Sequence, residues 1–209
     1  MSEYSLYCFK ESGNAYKVAL MLELTGTPWT PIWVDFFNGE TRGEAYREGV
    51  NEMGEVPVLE NAGLKLTQTG AILHYLADET GKFGGKDRAE KLEILRWMFF
   101  DNHKLTSYTA TYRFMTNFVD GADKAVTDFL ASRMHGAFKV LNGHLEGRAF
   151  IAGDEPTIAD FSACGYLFYP EEFGVTWHKA YPEIGTWLER ISTLPGWRHP
   201  YDILPASAG

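Results

Sequence analysis

Cysteine is scarce in this chain. Only Cys8 and Cys164 are present among 209 residues, and they lie far apart, outside any Cys-x-x-Cys pattern. This spacing indicates neither a disulfide framework nor a thiolate metal site, and the apolar neighbours of both residues predict buried, inert thiols. The six histidines show no spacing typical of metal ligands, so we expect no metal in this protein.

Positive charge is also in short supply, with 19 Lys and Arg against 28 Asp and Glu and a net charge of −9. This balance argues against a protein that binds nucleic acid through its phosphates. The chain begins without a charged-then-apolar signal pattern, and no apolar run approaches the ~18 residues that a membrane helix needs. We therefore expect a cytoplasmic protein with neither a nucleic-acid nor a membrane partner.

The first 80 residues alternate between strand and helix patterns. Their predicted order is β-α-β-(α)-β-β-α, an α/β arrangement of supersecondary units. The predicted segments are strands at Tyr4–Phe9 and Thr30–Phe36, a helix at Ala15–Leu24, a short helix within Gly39–Gly49, strands on both sides of Gly63, and a helix that buries Ile72, Leu73, Tyr75 and Leu76.

Strand patterns are missing after the glycine-rich hinge Thr80–Gly85. Two long helical patterns follow, Arg88–Phe118, with an interruption near Thr106-Ser107, and Ala122–Leu145. The apolar positions of the first pattern include Leu92, Leu95 and Phe99. Further along, Thr157-Ile158-Ala159-Asp160 has the spacing of a helix capping box. We predict an α/β domain over residues 1–80 and an all-helical domain over residues 87–209.

The stretch from Asn51 to Leu76 carries the most specific chemistry. Pro57 opens a short apolar strand, and a cis bond at Val56-Pro57, which is inexpensive before proline, would leave the backbone of Val56 free to pair with an extended peptide. The segment Thr67–Ile72 then passes from strand to helix, and a helix start suits a carboxylate. Together these features predict a site for a small acidic peptide.

Four segments resemble the cytosolic glutathione transferases, and the resemblance extends over essentially the whole chain. They are the serine-containing opening of the first helix, the block around the proline, the amide-hydroxyl pair before alanine-isoleucine, and the capping box: Ser12–Val18, Asn51–Leu59, Gln68–Ile72 and Thr157–Asp160. The resemblance is to serine-type classes, zeta- or theta-like or a related bacterial class. It implies a thioredoxin-like N-terminal domain and an all-α C-terminal domain.

The resemblance also implies that glutathione is the co-substrate and that Ser12 stabilises its thiolate. The glutathione thiol has a pKa of about 8.5 and reacts poorly until it is ionised. A hydroxyl donor at a helix start lowers that pKa, although serine at this position is also a common helix cap. Tyr7, at the end of the first strand, and Asn14, at the same helix start, are alternative donors to the sulfur, and each has a plain structural explanation in core packing or capping.

Glutathione itself is expected to contact the backbone of Val56 and the helix start at Gln68-Thr69. The full set of glutathione-binding residues that the resemblance implies is Ser12, Asn38, Glu55, Val56, Pro57, Gln68 and Thr69, with Arg42 beside Asn38 in a variable loop. A small electrophile would bind helical residues, for which we name Asn102, Tyr108, Tyr112 and Phe114.

These expectations describe a glutathione transferase that acts in detoxification as a homodimer. Two alternatives stay open. One is a glutathione-dependent isomerase, dehalogenase or disulfide reductase on the same fold, although a serine rather than a cysteine at position 12 argues against cysteine-based chemistry. The other is a catalytically silent interaction module with a vestigial site.

Overall fold

The computed structural model describes residues 3–207, which form two compact units. The first unit comprises residues 3–82 together with residues 194–207, and the second comprises residues 83–193. The predicted fold class, an α/β domain followed by helices, is confirmed. The second domain expected from sequence continues to residue 209, whereas residues 194–207 pack on the first unit. The hydroxyl of Tyr16 donates to the carbonyl of Arg198 at 2.9 Å in that packing.

A four-stranded mixed sheet with the order β2-β1-β3-β4 forms the first unit. Strand β1 is parallel to β2 and antiparallel to β3, and β3 is antiparallel to β4. Helices α1 and α3 pack against each other. The elements are β1 (Tyr4–Cys8), α1 (Gly13–Thr25), β2 (Trp29–Trp33), a 3₁₀ turn (Glu40–Arg42), α2 (Glu44–Gly49), β3 (Val58–Asn61), β4 (Leu64–Thr67), α3 (Thr69–Thr80) and, after residue 193, α10 (Pro200–Ile203).

The sheet register brings three chain segments to one end of the sheet. Tyr7, near the end of β1, pairs with Val58 at the start of β3, and Val58 pairs with Thr67 at the end of β4. The turn before β3 and the start of α3 therefore lie at the same end as the β1–α1 junction. Strand β2 ends at Trp33 rather than at the predicted Phe36, because the chain turns there and the N–H of Phe36 donates to the carbonyl of Val34.

The second unit is helical throughout the residues that the structure describes. Its elements are α4 (Arg88–Phe100), a π-helical turn (Asp101–Leu105), α5 (Thr106–Asn117), α6 (Lys124–Leu145), α7 (Ile158–Cys164), a 3₁₀ turn (Pro170–Phe173), α8 (Trp177–Ala180) and α9 (Pro182–Ser192). The capping box at α7 is present: Thr157 Oγ1 accepts from the N–H of Ala159, and the Asp160 carboxylate accepts from the N–H of Thr157 at 2.8 Å.

Two expectations for α4 and α5 differ from the structure. The interruption lies at the π-helical turn Asp101–Leu105 rather than at Thr106-Ser107, because the buried Asp101 carboxylate accepts hydrogen bonds from the hydroxyls of Thr106 and Ser162, each at 2.6 Å. The buried positions of α4 are Ile94, Trp97 and Met98, whereas Leu92, Leu95 and Phe99 are 57%, 37% and 66% exposed. Helix α4 thus has an apolar face that is buried and an apolar face that is exposed within residues 3–207.

Candidate functional site

The turn before β3 is held open by buried side chains. The Val56-Pro57 peptide is cis, and the carbonyl of the preceding Glu55 accepts hydrogen bonds from Tyr46 Oη at 3.0 Å and from Asn51 Nδ2 at 2.9 Å. Within residues 3–207, no backbone hydrogen bond engages the N–H or C=O of Val56. An extended peptide can therefore pair with Val56 in the manner of an added strand.

Gly54 makes the same turn possible. Its φ of 68° lies in the left-handed region, where residues other than glycine are disfavoured. A Cβ at this position would lie 2.7 Å from the carbonyl oxygen of Thr41 and 2.7 Å from Arg47 Nη2. Glycine is therefore required at position 54 on both conformational and steric grounds.

Helix α3 begins beside this turn without a side-chain cap. Its N-cap residue is Gln68, whose side chain makes no capping hydrogen bond, so the N–H groups of the first turn, beginning with Thr69, are available to a ligand. These N–H groups and the positive end of the helix dipole form an anion-binding arrangement. The Gln68 side chain does not cap α3, because it is directed towards the turn before β3.

Gln68 adopts an uncommon backbone conformation, with φ 65° and ψ 111°. Such a conformation costs on the order of 1–3 kcal/mol for a residue other than glycine. The side chain contacts the turn before β3: Nε2 donates to Glu55 Oε2 at 3.0 Å and lies 3.2 Å from Met53 Sδ. The structure therefore joins two residues that were predicted separately, Glu55 and Gln68.

Ser12 is the N-cap of α1. It is 4% exposed, and its Oγ accepts a hydrogen bond from the N–H of Ala15 at 3.1 Å. A hydroxyl that accepts in this way keeps its own proton for donation. Asn14, in the first turn of α1, is half-buried. Both residues sit at a helix start whose positive dipole end favours a thiolate.

Tyr7 is engaged elsewhere in the sheet. Its hydroxyl donates to Glu60 Oε2 at 3.1 Å, and burial, followed by the neighbouring Glu60 carboxylate, raises the pKa of the phenol. A phenol held in this way is a poor source of a proton for an external thiolate. The geometry therefore favours Ser12 over Tyr7 as the donor to a bound sulfur.

Asn38 and Arg42, predicted to reach the glycyl carboxylate, both follow β2 and are exposed. The Asn38 amide donates to both oxygens of Asp35, at 3.0 and 2.9 Å, and its backbone N–H also approaches that carboxylate at 3.4 Å. The amide protons of Asn38 are therefore already donated to Asp35. This hydrogen bonding does not support the predicted contact of Asn38 with glutathione.

The four residues named for the electrophile are not brought together. Tyr108 lines a cavity of about 300 Å³ between α6 and the segment from α4 to α5. Asn102 is exposed, and Tyr112 and Phe114 are half-buried; none of these three lines that cavity. The cavity is lined by Phe100, Lys104, Tyr108, Ser132, Arg133, Gly136, Ala137 and Val140.

The sequence analysis did not predict three supporting contacts: those of Tyr46 and Asn51 with the carbonyl of Glu55, and that of Glu60 with Tyr7. Tyr46 and Asn51 are each 4% exposed and fix the carbonyl of Glu55, and Glu60 holds the Tyr7 hydroxyl. A tyrosine in a short, otherwise polar helix is a sequence signal for Tyr46. The Tyr7–Glu60 contact depends on the register between β1 and β3 and has no local signal.

Among residues 3–207, no group of three or more His, Cys, Asp or Glu side chains is arranged to hold a metal ion. Over the same part of the chain, no helix combines the length and the apolar character needed to cross a bilayer. Cys8 and Cys164 are buried thiols outside any disulfide, and burial raises the pKa of Cys8 to about 12.

Residues 2–78 match the family described as "Glutathione S-transferase, N-terminal domain", and residues 97–195 match "Glutathione S-transferase, C-terminal domain". The chain belongs to the glutathione S-transferase family. Among solved structures, it is similar to a possible glutathione S-transferase from Rhodopseudomonas palustris, with 31% identity and a TM-score of 0.85 over 96% of this chain and 98% of that one.

This chain is also similar to the structure of a glutathione transferase from Burkholderia graminis, with 27% identity and a TM-score of 0.81 over 93% of this chain and 85% of that one. That structure holds two glutathione molecules bound per subunit. Curated relatives include glutathione S-transferase psoE of Aspergillus fumigatus, 26% identical over 70% of this chain, and elongation factor 1-gamma of Artemia salina, 27% identical over 88%. The chain spans 64% of the former protein and 43% of the latter.

Proposed function

We propose that this protein is a glutathione transferase, which ionises the thiol of glutathione and adds the sulfur to a small electrophile. The observation that carries the proposal is the meeting, at one end of the sheet, of an unengaged Val56 backbone, an uncapped start of α3 at Gln68-Thr69 and the α1 start at Ser12. Bound glutathione in a similar structure of 27% identity adds support.

In this proposal each part of glutathione meets a matching group. The cysteinyl unit pairs with the N–H and C=O of Val56, as a strand would. The γ-glutamyl carboxylate lies at the N–H groups of α3, beginning with Thr69. The Ser12 hydroxyl and the dipole of α1 stabilise the thiolate, which lowers the pKa of the thiol and makes it nucleophilic at neutral pH.

Asn102, Tyr108, Tyr112 and Phe114 remain the candidates for binding the electrophile, and Tyr108 has the best support because it lines a cavity of mixed apolar and charged lining. The proposal also includes the predicted homodimer. Leu92, Leu95 and Phe99 follow an i, i+3, i+7 spacing on the exposed face of α4, which suits burial against a second copy. We place the reaction in the cytoplasm, a reducing compartment in which thiols such as the buried Cys8 and Cys164 stay outside disulfides.

Retention on immobilised glutathione and conjugation of glutathione to a chloro-nitrobenzene test the proposal. We expect both from the unmodified protein. Thr69→Ala and Thr69→Pro form a matched pair: both lose the hydroxyl, but only the proline variant loses the N–H, at a first helical position that tolerates proline. We expect weaker retention for Thr69→Pro than for Thr69→Ala. An unmodified protein that neither binds nor conjugates glutathione would refute the proposal.

Related assays distinguish two other functions from glutathione conjugation. The similarity to elongation factor 1-gamma favours an interaction module, for which calorimetric titration with glutathione would give no heat of binding. A glutathione-dependent disulfide reductase, isomerase or dehalogenase would bind glutathione but turn over a disulfide, an isomerisable or a halogenated substrate faster than it conjugates an acceptor.

A further inference from the structure

Met53 lies on the turn before β3 with its side chain open to solvent. It is 50% exposed, which makes it the most exposed methionine within residues 3–207. The other methionines of that range are buried or half-buried: Met21, Met98, Met115 and Met134. Oxidation of a thioether requires that the oxidant reach the sulfur, so Met53 is the methionine most open to this modification.

The sulfur of Met53 also contacts Gln68, the N-cap residue of α3. The Gln68 amide nitrogen Nε2 donates to Glu55 Oε2 at 3.0 Å and, at 3.2 Å, to Met53 Sδ. These two acceptors together hold the Gln68 side chain against the turn before β3. The side chain therefore stays clear of the N–H groups at the start of α3, which it does not cap.

The backbone beneath Met53 is fixed. Its N–H donates to Asn51 Oδ1 at 3.1 Å, and the N–H of Gly54 donates to the carbonyl of Asn51 at 2.9 Å. Asn51 is itself buried, at 4% exposure. A chemical change at the sulfur must therefore be accommodated by the side chains of Met53 and Gln68 rather than by the turn.

Oxidation reverses the character of the atom that faces Gln68. When hydrogen peroxide oxidises a thioether, an S–O bond forms, the O–O bond breaks, the sulfur loses two electrons, and the peroxide is reduced to water. The sulfoxide is polar, with a partly positive sulfur and a strongly accepting oxygen. The 3.2 Å contact leaves no room for an oxygen between sulfur and nitrogen, and a sulfoxide turned the other way places its positive sulfur against an N–H. In either orientation the Gln68 side chain must move.

We propose that Met53 is a site of reversible oxidation, at which a hydroperoxide weakens the binding of glutathione by displacing the Gln68 side chain at the start of α3. Methionine sulfoxide reductases, one for each sulfoxide epimer, return the sulfoxide to the thioether. This inference rests on the proposed glutathione-binding function and concerns how that binding is controlled.

The test treats the unmodified protein with hydrogen peroxide, removes the peroxide with catalase, and maps oxidised methionines by mass spectrometry of the peptides. We expect the Met53 peptide to gain one oxygen atom before the Met115 peptide does. Calorimetric titration with glutathione should then give a dissociation constant about three- to tenfold higher than before treatment, the change expected from the loss of one side-chain hydrogen bond. Treatment with the two reductases should restore the original value.

Two leucine variants form a matched pair of controls. Leucine has nearly the volume of methionine but no sulfur to oxidise. Each variant is compared with itself before and after peroxide: Met53→Leu should lose the response, whereas Met115→Leu should keep it. Met53→Gln, which places a polar group at the thioether position, should bind glutathione more weakly than Met53→Leu without any peroxide. Thermal unfolding before and after treatment verifies that each protein is folded.

The outcomes separate this inference from the proposed function. If the untreated protein binds glutathione, but Met53 resists peroxide longer than Met115 or its oxidation leaves the dissociation constant unchanged or lower, only this inference fails. A response to peroxide that persists in Met53→Leu also overturns it. If the untreated protein does not bind glutathione, the proposed function and this inference both fail.

Discussion

The Oγ atom of Ser12 accepts a hydrogen bond from the backbone N–H of Ala15 at 3.1 Å. This contact makes Ser12 the N-cap of α1 and leaves its hydroxyl proton for a ligand. One side chain can therefore stabilise the helix and a bound thiolate at the same time, and suitable substitutions separate the two effects.

Ser12→Ala should lose both effects: about 1 kcal/mol of unfolding free energy, the usual value of an N-cap, and a roughly tenfold to hundredfold share of the conjugation rate. Ser12→Asp keeps a capping oxygen but has no proton to donate. We expect it to retain stability in urea denaturation while the bound thiol titrates at higher pH. Full activity in Ser12→Asp would show that another group activates the sulfur.

Tyr7→Phe should change the conjugation rate by less than about twofold, because the Tyr7 hydroxyl already donates to Glu60 and does not serve the sulfur. Steady-state kinetics measures this directly. A loss of conjugation as large as that of Ser12→Ala would identify Tyr7 as the donor instead.

Gln68→Gly and Gln68→Ala should differ in stability but not in binding. The φ of 65° at this position suits glycine and disfavours alanine, so the glycine variant should be the more stable by about 1 kcal/mol in denaturant titration. Both variants lack the amide and should bind glutathione several times more weakly. Equal stabilities would mean that the backbone of Gln68 relaxes on substitution.

Phe99→Asp should convert the proposed dimer into a monomer, because Phe99 is 66% exposed and lies on a face of α4 that is exposed within residues 3–207. Sedimentation equilibrium should give twice the chain mass of 23.6 kDa for the unmodified protein and the chain mass for the variant. Leu64→Asp, an exposed apolar position on β4, serves as a comparison. A monomeric unmodified protein would contradict the dimer.

Much of the fold could be predicted from local signals. The proline of the Pro57 block, the Thr157–Asp160 capping box and the glycine-rich break near residues 80–85 each act through neighbouring backbone, so their consequences can be read from a short window. The same is true of the helix starts at Ser12 and Gln68, although not of the backbone conformation of Gln68.

The features that could not be predicted from the sequence depend on contacts between segments that are distant along the chain. The Tyr7–Glu60 hydrogen bond joins residues 53 positions apart and requires the β1–β3 register. The π-helical turn after α4 depends on Asp101 meeting Ser162, and apolar periodicity alone did not separate the buried face of α4 from the face that carries Phe99.

Titration of ¹⁵N-labelled protein with glutathione, followed by amide chemical shifts, tests the central claim most directly. The account predicts saturable shifts of the Val56, Thr69 and Gly70 amides, with the same dissociation constant for all three and a further shift at Asn14 at the start of α1. Saturable binding that moves other amides and leaves Val56 and Thr69 unchanged would contradict it, and so would the absence of any shift at millimolar glutathione.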